Sequence, residues 1–386
     1  MSKRIEFPYL DGLRGLAALS VVLYHTFLYT GERGDAYRAM PTWSWAISSG
    51  YVGVAIFIVL SGYLLMLPVA TNPEGLRFRR GTWDFVKRRS RRILPPYYFS
   101  LLMALVLIWF VPLMGEPRNT QWDTKIPVTT EGLVSHLLMV HNLDRDWFGE
   151  INGPLWSVAA EFQIYFIMAL VLLPLFRLVP PSLVVLVTAV WTGWLAIGGS
   201  YEFMHPWYIC LFAAGMWAAQ LTLRPGADKV ARWVGLALLL AAPVALFVAR
   251  SAKINHRDWL YKTTYWPEMA LGLAVAALLV WAGHVYLRGD RPAVLRLLSS
   301  APLLRLGLFS YTLYLCHSPL IGLANLLLLP LGLSTVTQYF VLTFLVVPVV
   351  MVICYGFYLL VERHFLNTRQ RHVAEEEQPE GRPAAT

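Results

Sequence analysis

The sequence predicts an all-α integral membrane protein of about ten transmembrane helices, with both termini on the cytoplasmic side. Three observations carry that reading. Of 386 residues, 57% are hydrophobic and only 14% are charged, whereas soluble domains carry roughly 25% charged residues. The mean hydropathy is +0.53, more apolar surface than a soluble fold of this length can bury. The apolar residues are gathered into runs of the length that crosses a bilayer as a helix, about 20 residues, and Lys and Arg are divided unevenly among the loops between them. The cysteines Cys210, Cys316 and Cys354 lie far apart inside apolar runs, so they suggest no metal or redox motif.

Taken in order, the candidate spans cover about residues 8–29, 49–69, 93–113, 154–176, 181–199, 206–222, 231–249, 266–287, 308–328 and 336–361. The stretch 131–142 is apolar but short, and reads as an interfacial or re-entrant helix. With the N-terminus inside, twenty-two of the 32 Lys and Arg fall in cytoplasmic loops and nine in outer loops, with Arg14 inside the first span. Membrane proteins keep their cations on the cytoplasmic side in this way. The division also accounts for the net charge of +9 without a nucleic-acid partner; the bilayer itself is the partner. Lys3 and Arg4 precede the first span as in a signal peptide, but Asp11 and Arg14 interrupt the apolar run and no small-residue cleavage site follows. That span is expected to be retained. Residues 1–366 read as one polytopic membrane domain, and the polar, Pro- and Gly-containing residues 367–386 as a disordered cytoplasmic tail.

Ionisable groups within spans are costly and mark functional sites by default. The first span carries Asp11, Arg14 and His25. Arg14 and His25 are eleven residues apart, which places them about 20° off the same helix face and ~16 Å apart along it. In the competing structural reading, Arg14 snorkels to headgroups and His25 makes an interhelical hydrogen bond. Glu161 in the fourth span lies at a depth similar to His25, where a carboxylate could orient an imidazole; a structural ion pair is the alternative. Lys87-Arg88-Arg89-Ser90-Arg91-Arg92 opens the third span. A basic cluster at a helix start suits phosphate, and equally suits anchoring to anionic lipid. His317 in the ninth span reads first as a packed, hydrogen-bonded residue. Ser61 lacks the context of a nucleophile elbow and fits close helix packing through Ser61-Gly62. His136, His141, Asn142 and Asn152 lie in the outer loop before the fourth span, where polar groups could meet a ligand from outside.

At these residues the chain resembles the membrane-bound acyltransferase 3 family of O-acyltransferases. The matching stretches are Leu10-Asp11-Gly12-Leu13-Arg14-Gly15-Leu16-Ala17-Ala18 running on to Tyr24-His25, Gly50 to Tyr63, the Arg-Arg-x-Arg-Arg-Ile-Leu-Pro start of the third span, Trp156-Ser157-x-x-x-Glu161 with Tyr165, and Phe309-Ser310-Tyr311-x-x-Tyr314-x-x-His317. Ala55 departs from the pattern, where members often carry Asp. The resemblance implies transfer of an acyl group from acyl-CoA, acetyl-CoA or another short-chain form, to a hydroxyl of a sugar, glycan or macrolide, in a bacterial plasma membrane and without a metal. The arginine and histidine of the family motif fall on Arg14 and His25. The R-x-x-R motif falls on Arg89 and Arg92, with Arg88 and Arg91 as the other register. Asp11, Asn152, Tyr165, Tyr311 and His317 are the expected acceptor contacts.

The ~16 Å between Arg14 and His25 is comparable to an extended pantetheine arm. Phosphates would sit on the inner cations while His25 deprotonates the acceptor hydroxyl attacking the thioester, with Glu161 orienting it. A proton-coupled transporter is the rival reading, since His, Glu and Arg within helices also build proton relays. It would favour repeated halves with broken helices, which this sequence does not show.

Overall fold

A computed structural model of the chain describes residues 6–41, 44–197, 201–254 and 264–366. The expected tail 367–386 lies outside the described residues, as do Lys3, Arg4, Arg257 and Lys262. Among the described residues the secondary structure is helical throughout.

Ten long helices are found where ten spans are expected: α1 Tyr9–Tyr29, α2 Gly53–Ala70, α3 Thr82–Phe110, α4 Leu155–Leu178, α5 Pro181–Ile197, α6 Tyr208–Thr222, α7 Ala227–Ile254, α8 Tyr265–Leu287, α9 Ser310–Leu328 and α10 Thr335–Leu360. Seven of them, α2, α3, α4, α7, α8, α9 and α10, are long and apolar enough to cross a membrane. Helices α5 and α6 are shorter, at 17 and 15 residues, and α1 is less apolar because it carries Asp11, Arg14 and His25. Crossing by these three therefore depends on protein covering their ends and polar faces.

Helix α1 stands at the centre, packed against α2, α9 and the short helix Ala301–Leu308. Its glycines allow this. A side chain at Gly12 or Gly15 would run into the backbone of Leu298 or Gly307. Gly62 of α2 and Gly215 of α6 similarly let two backbones meet, each lying against the other helix's carbonyls. Membrane helices associate through such small-residue contacts because lipid supplies no hydrophobic drive. The core residues run through all the central helices, with Tyr63, Tyr97, Tyr208 and Phe212 fully buried, while α7 and the ends of α3 and α10 expose Leu, Val and Phe outward.

One element differs from expectation in a way that bears on function. The third span is expected at about 93–113, yet α3 begins at Thr82, after Gly81 with φ of 84°. The basic stretch 87–92 thus occupies the helix interior. Its backbone N–H groups serve the helix, so the phosphate argument from a free helix start no longer holds there, and only the guanidinium groups remain available.

Candidate active site

Helix α1 carries two polar groups, one near each end. Towards the Tyr29 end, the Nδ1 of His25 lies 2.8 Å from the Val21 carbonyl and 3.2 Å from Nε2 of His317. His317, on α9 and fully buried, turns its own Nδ1 to the Leu313 carbonyl at 3.0 Å. Carbonyls only accept, so both Nδ1 atoms are protonated in the neutral rings. That assignment leaves Nε2 of His317 accepting from His25, and Nε2 of His25 with its lone pair free of any partner among the described residues. The two rings meet edge to face, 4.7 Å apart. Tyr24 and Tyr29 flank His25, and Tyr29 is held in turn by Ser318 at 2.8 Å. A base oriented by a buried neighbour, with one nitrogen unoccupied, is what general-base catalysis requires.

Near the other end, Arg14 is largely buried, with 16% of its side chain exposed, while its neighbour Asp11 at 3.8 Å is 45% exposed. Arg92 of α3 lies in the fields of Arg14, Glu362 and Glu161; Arg89 in those of Arg92, Glu161 and Arg88. The other register points elsewhere. Arg88 pairs with Asp84, one turn before it, and Arg91 is exposed. Glu362, buried just beyond α10, accepts from Thr312 N–H at 3.1 Å and the Thr312 hydroxyl at 2.5 Å. Burial raises its pKa, while Thr312, Arg92 and Arg14 act to lower it.

Glu161 belongs with this second group. Its Oε1 accepts from the Ser61 hydroxyl and from Tyr165 O–H at 2.6 Å, and it acts on both Arg89 and Arg92. The groups that act most on His25 are His317, the Val21 carbonyl and Lys125. Glu161 makes no hydrogen bond to His25 among the described residues: α4 faces α2 through Ser61, and α9 through Ser157 and Tyr314, whose hydroxyls are 2.6 Å apart.

The remaining expected residues divide between the two groups. Tyr311 donates to the Ile93 carbonyl of α3 at 3.1 Å and lies in the field of Glu161 and Glu362. Asn152 is fully buried and donates to the Leu315 carbonyl at 2.9 Å, two residues before His317, and to Ser100 at 3.2 Å; its Oδ1 has no partner among the described residues. The stretch 131–142 is the short helix Thr130–Leu137 followed by a turn. In it His136 and His141 are buried and stacked at 3.7 Å. Burial, chiefly, depresses their pKa to about 4 and about 2. Among the described residues no group of three or more His, Cys, Asp or Glu could hold a metal ion.

Sequence reasoning missed Glu362 and Lys125, and it gave Ser61 only a packing role. Glu362 follows the last apolar run directly, and an acidic residue at a span end is easily read as ordinary loop charge. Ser61 does accompany the packing glycine Gly62, but its hydroxyl also holds Glu161.

Fold and site together define a polytopic helical membrane protein built around one helix, with a histidine pair near one end and an arginine cluster near the other. The chain belongs to the family described as an acyltransferase domain, whose model matches residues 7–359. Its relatives include acyltransferase MdmB of Streptomyces mycarofaciens, 27% identical over 81% of this chain and 78% of that protein. Peptidoglycan O-acetyltransferase OatA of Listeria monocytogenes is 27% identical over 82% of this chain and 50% of its own length. O-acetyltransferase OatA of Staphylococcus aureus is 23% identical over 82% of this chain and 51% of its own length. The chain thus spans about half the length of these two OatA proteins. No solved structure matches the chain.

Proposed function

We propose that the protein is a bacterial plasma-membrane O-acyltransferase that moves a short acyl group from acyl-CoA to a hydroxyl of a sugar-containing or macrolide-type acceptor. The observation that carries the reading is the separation of roles along α1: a base with a free nitrogen near one end and three cations, Arg14, Arg89 and Arg92, near the other. The names of the relatives, acyltransferase and O-acetyltransferase, support the same class. Both termini are taken to be cytoplasmic, so the arginine end faces the cytoplasmic pool of acyl-CoA.

In this reading the pyrophosphate and 3′-phosphate of CoA rest on Arg14, Arg89 and Arg92, whose planar forks bond phosphate oxygens two at a time. Glu161, itself held by Ser61 and Tyr165, limits the mutual repulsion of Arg89 and Arg92, while Arg88 and Arg91 face away from the donor. The pantetheine arm spans the ~16 Å to His25. There His25 Nε2 takes the proton of the acceptor hydroxyl as the oxygen adds to the thioester carbonyl. The tetrahedral intermediate then collapses, the C–S bond breaks, and the proton passes to the departing CoA thiolate. His317 holds the His25 ring through its Nε2 and shares the positive charge that forms on it. General-base catalysis of this kind contributes about 10²–10⁴-fold.

Release of free CoA thiol from acetyl-CoA by the purified protein, with acceptor-dependent acceleration, tests the reading. An absence of thiol release together with proton-coupled uptake into vesicles would favour a transporter instead.

A further inference from the structure

Lys125 lies on the short turn Gln121–Lys125, between α3 and the helix Thr130–Leu137. It is only 7% exposed, and its ammonium makes no hydrogen bond or ion pair among the described residues. The nearby carboxylates are committed elsewhere. Asp123 caps its own turn, accepting from Thr120 N–H at 3.2 Å and from the Arg118 N–H at 3.1 Å. Glu150 is taken by the Thr129 hydroxyl at 3.0 Å, and Asp144 by the Asp146 N–H at 2.8 Å. The charged and titratable groups whose fields Lys125 shares are the exposed Arg33, His25 and His136, none of them acidic. Room for the ammonium is made by Gly153, where a Cβ would sit 2.7 Å from Nζ. Gly153 follows Asn152, whose Oδ1 is likewise unpaired.

Burying a cation without a counter-charge is expensive. The expense is visible here: burial first, and then Arg33, lowers the Lys125 pKa to about 8. Packing gives no reason for the charge, since a methionine would fill the same space. The cation lies at the His25 end of α1, away from the arginines assigned to the donor, and Arg33 extends the positive field outward from it. We propose that Lys125 is an anion-binding subsite for the acceptor, and that the natural acceptor carries a carboxylate or phosphate close to the hydroxyl that is acylated. Asn152, whose Nδ2 donates to Leu315 and Ser100, offers only its Oδ1, an acceptor for a hydroxyl of the same substrate rather than for its anion. The inference rests on the acyl-transfer reading above, with His25 as the acceptor-side base.

The test uses the purified full-length protein in lipid nanodiscs without acyl-CoA, so that binding is read apart from turnover. Glucuronate, glucuronate methyl ester and glucose are titrated by saturation-transfer NMR. One charge-assisted contact corresponds to about 10- to 100-fold in affinity, so glucuronate should bind at least ~10-fold more tightly than its ester. Lys125→Gln should erase the difference, and Lys125→Arg should retain part of it. Equal binding of glucuronate and ester by the wild-type protein overturns the inference, and needs no variant to fold. A preference that survives in folded Lys125→Gln overturns it as well. So does an absent preference joined to slower acetyl transfer onto glucose in Lys125→Gln, which would put the ammonium on the transition-state oxyanion. If the charge preference and its dependence on Lys125 hold but no acetyl-CoA is ever consumed, the anion subsite stands and the acyl-transfer reading falls.

Discussion

At the residue scale, the pairing of His25 with His317 rather than Glu161 changes what each substitution should do. His317→Ala leaves the His25 ring without its partner. It should lower kcat by about 10-fold or more while acetyl-CoA KM stays close to wild type, and His317→Gln, whose amide carbonyl can accept from His25, should recover part of the loss. Glu161→Gln should do the reverse, raising acetyl-CoA KM with a smaller change in kcat, because its carboxylate serves Arg89, Arg92, Ser61 and Tyr165. Steady-state kinetics on both variants decide the matter; a pure kcat loss in Glu161→Gln would return it to the base. The motif residues Arg14, His25 and Glu161 were legible in the sequence because charge inside an apolar run is conspicuous. Their grouping was not. Helical periodicity fixes spacing along one helix, here the ~16 Å on α1, but depth alone leaves open which neighbour a side chain faces. His317 looked like a packing residue, and Lys125 like an outer-loop charge, because burial by other elements cannot be read from local sequence.

At the scale of single elements, α3 carries the arginine register. Arg89 and Arg92 face Arg14, Glu161 and Glu362, whereas Arg91 faces outward. Arg89→Ala or Arg92→Ala should raise acetyl-CoA KM by about 10-fold or more, each charge-assisted bond contributing ~1.5–3 kcal/mol, and Arg91→Ala should leave it unchanged. Lipid anchoring as the sole role would instead lower the amount of inserted protein with unchanged kinetics per folded molecule. The Thr130–Leu137 helix and its following turn carry a different prediction. His136 and His141 are neutral in the fold, with their pKa held down by burial to about 4 and about 2, below the unfolded value of about 6.5. Above pH ~6.5 both states are neutral and nothing is lost. As pH falls below that, the unfolded segment takes up protons that the folded one refuses, so stability declines towards the folded values. Hydrogen exchange in residues 130–143, corrected for intrinsic rates, should quicken between pH 7.5 and 5, and the double variant His136→Gln/His141→Gln should flatten that dependence. The apolar run of this segment predicts a short interfacial or re-entrant helix. The stacked pair inside it was beyond the sequence, because the buried partners are supplied by α3 and α4, through Tyr97 and Gln163.

At the scale of the whole molecule, the helical class was legible from runs of apolar residues, and all ten expected positions are helical. Span ends were less so: the apolar run of the third span begins at about 93, whereas α3 starts at Thr82 and carries Pro95 and Pro96 within it, as membrane helices tolerate interior proline when neighbouring groups satisfy the freed backbone. The proposed orientation follows from the charge division. Cysteines introduced at the exposed positions Glu74 and Lys229 should be shielded from impermeant thiol reagents in intact cells, and one at Arg118 should label; labelling at 74 would invert the topology. The central claim is that His25 is the base that activates the acceptor, at the far end of α1 from the acyl-CoA phosphates. The measurement that addresses it most directly is acetyl transfer from acetyl-CoA by folded, membrane-inserted His25→Ala, with acetyl-CoA affinity measured in parallel. The account predicts turnover reduced by at least ~10² with donor affinity close to wild type; near-normal turnover in that variant would contradict it.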